Sequence, residues 1–167
     1  KRLLRLWSRG KMEIKKMKYT KDQQEVVEMT DKDCIFCKIA GGNIPSSTVY
    51  EDEQFRVILD LSPATKGHAL ILPKQHYANI FEIDEHVLKD LIVLAKKVAT
   101  AMKETLNCDG VNIVQNNGEV AGQTVFHFHM HIIPRYKDDG QVIGWNPQES
   151  DPEVQAQLAA KIGQALK

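Results

Sequence analysis

The chain has no excess of charge of either sign. Its 22 lysines and arginines balance 22 aspartates and glutamates, so net charge gives no general pull toward nucleic acid or a membrane surface. It also has no run near the ~18 consecutive apolar residues of a membrane span. Leu3-Leu4-Arg5-Leu6-Trp7 is too short and too charged for the apolar core of a signal peptide. Cysteine is scarce. There are three, an odd number, and two of them form Cys34-x-x-Cys37. That pattern argues against a secreted disulfide framework; it fits a reducing, cytoplasmic compartment and a metal or thiol role. Internal repeats and low-complexity linkers are missing from 34–167, and 167 residues suit one domain with a short appendage.

The basic residues are unevenly placed. Residues 1–21 carry nine lysines or arginines against the single acid Glu13, which leaves the remainder mildly acidic. Residues 1–32 are therefore read as a basic, polar N-terminal extension, disordered or loosely packed, in preference to a surface-lying amphipathic helix at Leu3, Leu4, Leu6 and Trp7. Met29, just before the first convincing element, is a candidate native start. Residues 33–167 are read as the folded domain.

Within that domain the patterning gives a short helix at 34–40 ended by Gly41-Gly42, then strands at 48–50, 54–59 and 68–72, the last stopped by Pro73. Asp84 is positioned to cap a long helix whose apolar positions Val87, Leu91, Leu94, Ala95, Val98, Met102 and Leu106 keep a 3.6-residue period. A strand at 111–114 and a turn at Asn116-Asn117-Gly118 follow. Asp151-Pro152 opens a terminal helix with Val154, Leu158, Ile162 and Leu166 on one face. Strands, a crossing helix and strands again make an α+β domain with a five-stranded, largely antiparallel sheet.

The fifth strand carries the chemistry. Residues 126–133 read Phe-His-Phe-His-Met-His-Ile-Ile, which places half of the six histidines at alternate positions. In a strand His127, His129 and His131 share one face, while Phe126, Phe128, Met130 and Ile132 line the other and anchor it in a core. Three imidazoles on one face make a poor core, because their nitrogens need partners. Upstream, Gly118-Glu119-Val120-Ala121-Gly122-Gln123-Thr124 offers backbone N–H groups near a glycine and two side-chain donors. A donor-rich loop beside neutral imidazoles suits a phosphate.

His127-Phe128-His129-Met130-His131-Ile132-Ile133 resembles the His-φ-His-φ-His-φ-φ signature (φ apolar) of the histidine triad superfamily at every position. Asp33–Ile39, Val49–Glu53, Gly67-His68, Pro73-Lys74 and Gly122–Val125 are similar to segments of its Hint-like branch, so the resemblance spans about 33–137. It implies a five-stranded antiparallel sheet with a long helix, paired as a two-fold homodimer. The implied chemistry is hydrolysis at the α-phosphate of purine nucleoside phosphoramidates through a nucleotidyl-histidine intermediate, with His129 as nucleophile. His131 would contact the phosphate, and Gln123 and Thr124 would lie at the phosphate and leaving group, with Gly122 in the same loop. Asp60 would grip ribose hydroxyls, with Leu61, Phe36 and Ile39 around the base and Asn116 near ribose and phosphate. His68 would belong to the catalytic network.

Other readings stay open. Asp60 is also an ordinary loop-capping carboxylate, and Asn116 ordinary turn chemistry. In bacterial Hint-like members a Cys-x-x-Cys pair joins two histidines around structural zinc; the matching residues are Cys34, Cys37, His76 and His127, and the alternative is a pair of reduced, buried thiols. A catalytic metal is not expected. Trp145, in the segment after Pro134, is a candidate specificity residue near a dimer partner. Dinucleoside polyphosphate hydrolysis, nucleotidyl transfer and a nucleotide-binding adaptor are the competing functions.

Overall fold

The computed structural model describes residues 31–144 and 146–166. The N-terminal extension up to residue 30 and Trp145 therefore lie outside the described residues. Along the chain run α1 (Ile35–Ala40), β1 (Thr48–Glu51), β2 (Phe55–Leu59), β3 (Ala69–Pro73), α2 (Glu85–Leu106), β4 (Gly110–Val114), β5 (Met130–Arg135) and α3 (Pro152–Ala165). The strands form one antiparallel sheet in the order β1-β2-β3-β5-β4. This is the α+β architecture that the patterning indicates. Among the described residues no helix is long and apolar enough to cross a membrane.

The sheet has a core on each face. Phe55, Val57, Ala69, Ile71, Phe128 and Ile132 pack against the inward stripe of α2, where Val87, Leu91, Leu94, Ala95, Val98 and Met102 are all buried. The period of that helix was fully legible. On the opposite face Ile58, Leu70 and Leu72 meet Ile39 and Ala40 of α1. Arg56 ties α1 down by donating from Nη1 to the Ile39 carbonyl at 2.7 Å, which satisfies an acceptor at the helix end. Because strand side chains alternate, anything beside Leu70 and sharing its face looks toward α1. His131 pairs with Leu70.

Two expectations need correction. The histidine strand begins at Met130, four residues after Phe126. Before it, the Phe128 N–H donates to the Tyr77 carbonyl at 2.6 Å and leaves no ladder bond to make. Phe126 is 48% exposed and anchors nothing, although Phe128 and Ile132 are fully buried and Met130 packs on the core as expected. Asp84 is the N-cap of α2 by position, yet its carboxylate accepts from the Tyr77 hydroxyl at 3.0 Å and makes no cap bond. The terminal helix α3 forms on its Asp151 cap as expected; Val154, Leu158 and Ile162 are exposed and the helix buries no residue.

Candidate functional site

Each triad histidine has one ring nitrogen committed to a group whose role is fixed, and that commitment determines its tautomer. A backbone carbonyl only accepts, so the nitrogen facing it must carry the proton. His127 Nε2–H donates to the Pro73 carbonyl at 3.0 Å, leaving the Nδ1 lone pair free. His129 Nδ1–H donates to the His127 carbonyl at 2.6 Å, leaving the Nε2 lone pair free. The His127 carbonyl is thereby withdrawn from the sheet, a second reason why the ladder starts late.

His131 is set from one residue further away. The Ala64 N–H, a donor only, meets His68 Nδ1 at 3.1 Å. His68 must then hold its proton on Nε2, which lies 2.9 Å from His131 Nδ1 and donates to it. Neutral His131 therefore carries its own proton on Nε2. Asp60 Oδ2 stands 3.7 Å from His68 Nδ1, beyond hydrogen-bond reach and facing a nitrogen already occupied by Ala64. It is not an ion pair, since burial pushes the His68 pKa down and outweighs the pull of Asp60. Burial likewise lowers His129. Burial, together with repulsion from His129 and His68, holds His131 down at about 4. His68, His129 and His131 are therefore neutral at neutral pH, His129 presenting a bare lone pair and His131 an N–H.

Around them the expected residues distribute unevenly. Phe36 of α1 stands edge-on to His129 with ring centroids 5.0 Å apart, and to His127 at 6.0 Å. Ile39 is buried beneath it, and Leu61 at the other rim is 91% exposed. Asp60 Oδ1 accepts the Ser62 N–H at 2.8 Å, so the residue also caps its own loop. Asn116 Nδ2 reaches the Gly122 carbonyl at 3.5 Å. Gly122 holds φ +87, a left-handed conformation natural to glycine. Thr124 is exposed.

Gln123 departs from its expected place. Its side chain is buried, its Oε1 accepts the Gly118 N–H at 2.8 Å, and its Nε2 donates to the Ala78 and Val125 carbonyls at 2.7 and 3.0 Å. Both amide protons are spent on backbone. Gln123 braces the loop that bears Gly122 and Thr124, and it has no spare donor for a phosphate. Ala64 was missed altogether, because a backbone N–H leaves no trace in residue identity.

A second cluster adjoins the first. Cys34, Cys37, His76 and His127 bring one ligand atom each within 4.8 Å of the others, a set that could hold a metal ion. His127 Nδ1 lies 3.5 and 3.4 Å from the Cys34 and Cys37 sulfurs, and His76 Nδ1 lies 3.3 Å from Cys37. Sulfur and nitrogen ligands of one tetrahedral ion are about 3.5 Å apart, given bonds of about 2.3 and 2.0–2.1 Å. A hydrogen bond from Cys37 lowers the Cys34 thiol toward its thiolate, while Cys37 is pushed up by sharing that bond. The fit is good, and the Pro73 carbonyl orients His127 for it, as carbonyls do for metal-bound imidazoles.

The chain is similar in sequence and in structure to known proteins. A family model described as HIT domain matches residues 41–138. The adenosine 5'-monophosphoramidase HNT1 of Saccharomyces cerevisiae is 43% identical over 137 residues, covering 79% of this chain and 84% of its own. The crystal structure of SMU.412c from Streptococcus mutans UA159 superposes with a TM-score of 0.79 at 43% identity, over 83% of this chain and 88% of the other. A Zn-bound histidine triad family protein from Mycobacterium smegmatis gives 0.64 at 36% identity, over 80% and 97%.

Proposed function

Because this chain belongs to the HIT domain family, we propose that it hydrolyses purine nucleoside phosphoramidates at the α-phosphate, with His129 as the nucleophile. The observation that carries this reading is the 2.6 Å bond from His129 Nδ1–H to the His127 carbonyl. It aims a neutral ring's lone pair outward and supports the positive charge that develops when that ring attacks. His129 Nε2 forms a bond to phosphorus as the phosphorus–nitrogen bond breaks, and the amine leaves with the bonding pair and a solvent proton. Water then displaces the histidine, releasing the nucleoside monophosphate. His131 Nε2–H hydrogen-bonds the phosphoryl oxygens where charge builds up. His68 acts through His131 as a positioning residue. Asp60 takes the ribose hydroxyls, Phe36, Ile39 and Leu61 surround the base, and Asn116, Gly122 and Thr124 attend the phosphate.

Zinc is the ion that suits two thiolates and two imidazoles, and its role here is structural. Cys34 and Cys37 flank Phe36 on α1, so a filled site fastens that helix, and the base-binding side chain between them, to the histidine segment.

The chain forms a two-fold dimer through β4. This edge strand is regular and bordered by a shallow apolar groove of about 680 Å³ lined by Ile92, Val93, Ala99, Val111 and Ile113. The opposite edge, β1, is short and its register shifts between Thr48 and Tyr50, a common protection against edge pairing. Sedimentation of wild type against Ile113→Lys should give dimer and monomer respectively. A monomeric wild type would contradict the assignment.

The reaction is tested with a panel of adenosine and guanosine phosphoramidates against dinucleoside polyphosphates, with His129→Ala as control. Faster turnover of phosphoramidates supports the reading. Preference for polyphosphates would replace it with dinucleoside polyphosphate hydrolysis.

A further inference from the structure

We propose that Asp60, His68 and His131 form a second site for a divalent transition-metal ion, distinct from the Cys34–Cys37–His76–His127 set, and that an ion held there competes with nucleotide. Metal binding stands on geometry alone. The competition rests on the reading of Asp60 and His131 as ribose and phosphate contacts.

One ligand atom from each of the three residues lies within 4.8 Å of the others. All three are placed by the sheet. Asp60 directly follows β2, His68 directly precedes β3, and His131 lies within β5. The pairings Leu59 with Ala69 and Leu70 with His131 hold these positions in register, and the Asp60 N–H donates to the His68 carbonyl at 2.9 Å. Ligands mounted on neighbouring strands keep their spacing better than ligands on a free loop.

The ion would sit between His68 Nε2 and His131 Nδ1, which stand 2.9 Å apart and would separate toward the about 3.4 Å of two ligands on a tetrahedral ion as their mutual hydrogen bond is exchanged for metal bonds. Asp60, whose carboxylate belongs to the same 4.8 Å group, would supply the third ligand atom. Two imidazoles and one carboxylate select zinc, cobalt, nickel or copper over magnesium and calcium, which favour all-oxygen shells. An ion in this position takes the carboxylate that would grip ribose. It also breaks the His68–His131 bond that orients the phosphate donor. Nothing comparable happens at the cysteine set, whose ligands leave His129 and His131 free.

The test uses the full chain already loaded with one equivalent of zinc, titrated with cobalt(II). A second equivalent should bind with a visible d–d spectrum and without sulfur-to-cobalt charge transfer, since the site has no thiolate. Asp60→Asn and His68→Gln should each weaken it by at least about tenfold, while His86→Ala, at an exposed histidine on α2, leaves it unchanged. Thermal melts of both variants confirm that they are folded. Adenosine monophosphate should raise the apparent cobalt dissociation constant in proportion to its concentration. The proposal is overturned if no second equivalent binds at millimolar cobalt, or if it binds equally to both variants. Nucleotide binding is measured separately in metal-free buffer. Nucleotide bound without cobalt defeats the metal site alone, and cobalt bound without competition defeats the nucleotide reading of Asp60 and His131.

Discussion

At the scale of residues, function is assigned by where single protons sit. His127, His129 and His131 are equivalent in the sequence, and three backbone groups make them different: the Pro73 carbonyl, the His127 carbonyl and the Ala64 N–H acting through His68. If His68 orients His131, His68→Ala should lower kcat by about 10–100-fold with little change in KM, as expected for a group that acts mainly in the transition state. His68→Gln, whose amide can still donate to His131 Nδ1, should recover part of that loss. A KM effect alone would mean that His68 only shapes the binding site. The shared face and polarity of the triad were legible in alternate spacing, as was the Cys-x-x-Cys pair. The division of labour was not, since it depends on backbone donors and acceptors brought in from β3 and from the loop before it. Gln123 failed for the same reason: its residue type advertises donors, and only the fold reveals that they are spent.

At the scale of elements, local pattern and tertiary packing divide the outcome. The 3.6-residue period of α2 was readable because it buries one face continuously. Strands β2, β3 and β4 were readable as short apolar runs bounded by turn residues, although β3 is buried throughout and β4 only half-buried. The start of β5 was not, because the competing partner of Phe128 is the Tyr77 carbonyl, a contact distant in sequence. The join between α2 and the loop before β3 gives a sharp stability test. Gly67 has φ +90, and a Cβ there would meet Leu106 Cδ1 at 2.5 Å. Gly67→Ala should therefore cost about 2–4 kcal/mol, from backbone strain and overpacking together, read as a shift in denaturant midpoint. Beyond β5, Asp139 accepts from Arg135 at 2.7 and 2.8 Å. That pairing, with backbone donors from Gln141 and Tyr136, holds the Asp139 carboxyl well below the usual range. A depressed folded-state pKa gives stability that is complete above the unfolded value near ~3.9 and is lost as pH falls below it. The stability difference between wild type and Asp139→Asn should be flat above about pH 5 and shrink toward acid. A difference that grows on acidification would contradict this.

At the scale of the whole molecule, the histidine segment connects two clusters. His127 faces the cysteine set, His129 and His131 line the proposed phosphate site, and α1 closes over both through Cys34, Phe36 and Cys37. A metal that fastens α1 should contribute to folding stability as well as to the site. Removing it by chelation should lower Tm by at least about 5 °C, with recovery on adding zinc and none with magnesium; an unchanged Tm would leave the cysteines as reduced thiols with no structural ion. The exposed stripe of α3 shows the limit of reading amphipathicity. Val154, Leu158 and Ile162 keep helical spacing, yet among the described residues the helix covers no core. The most direct test of the proposed chemistry is mass spectrometry of the protein quenched during turnover of a slow adenosine phosphoramidate. Expected is an added adenylyl group that maps to His129, disappears with time and is absent from His129→Ala. Full turnover with no adduct on His129 at any time, or equal turnover by His129→Ala, would contradict it.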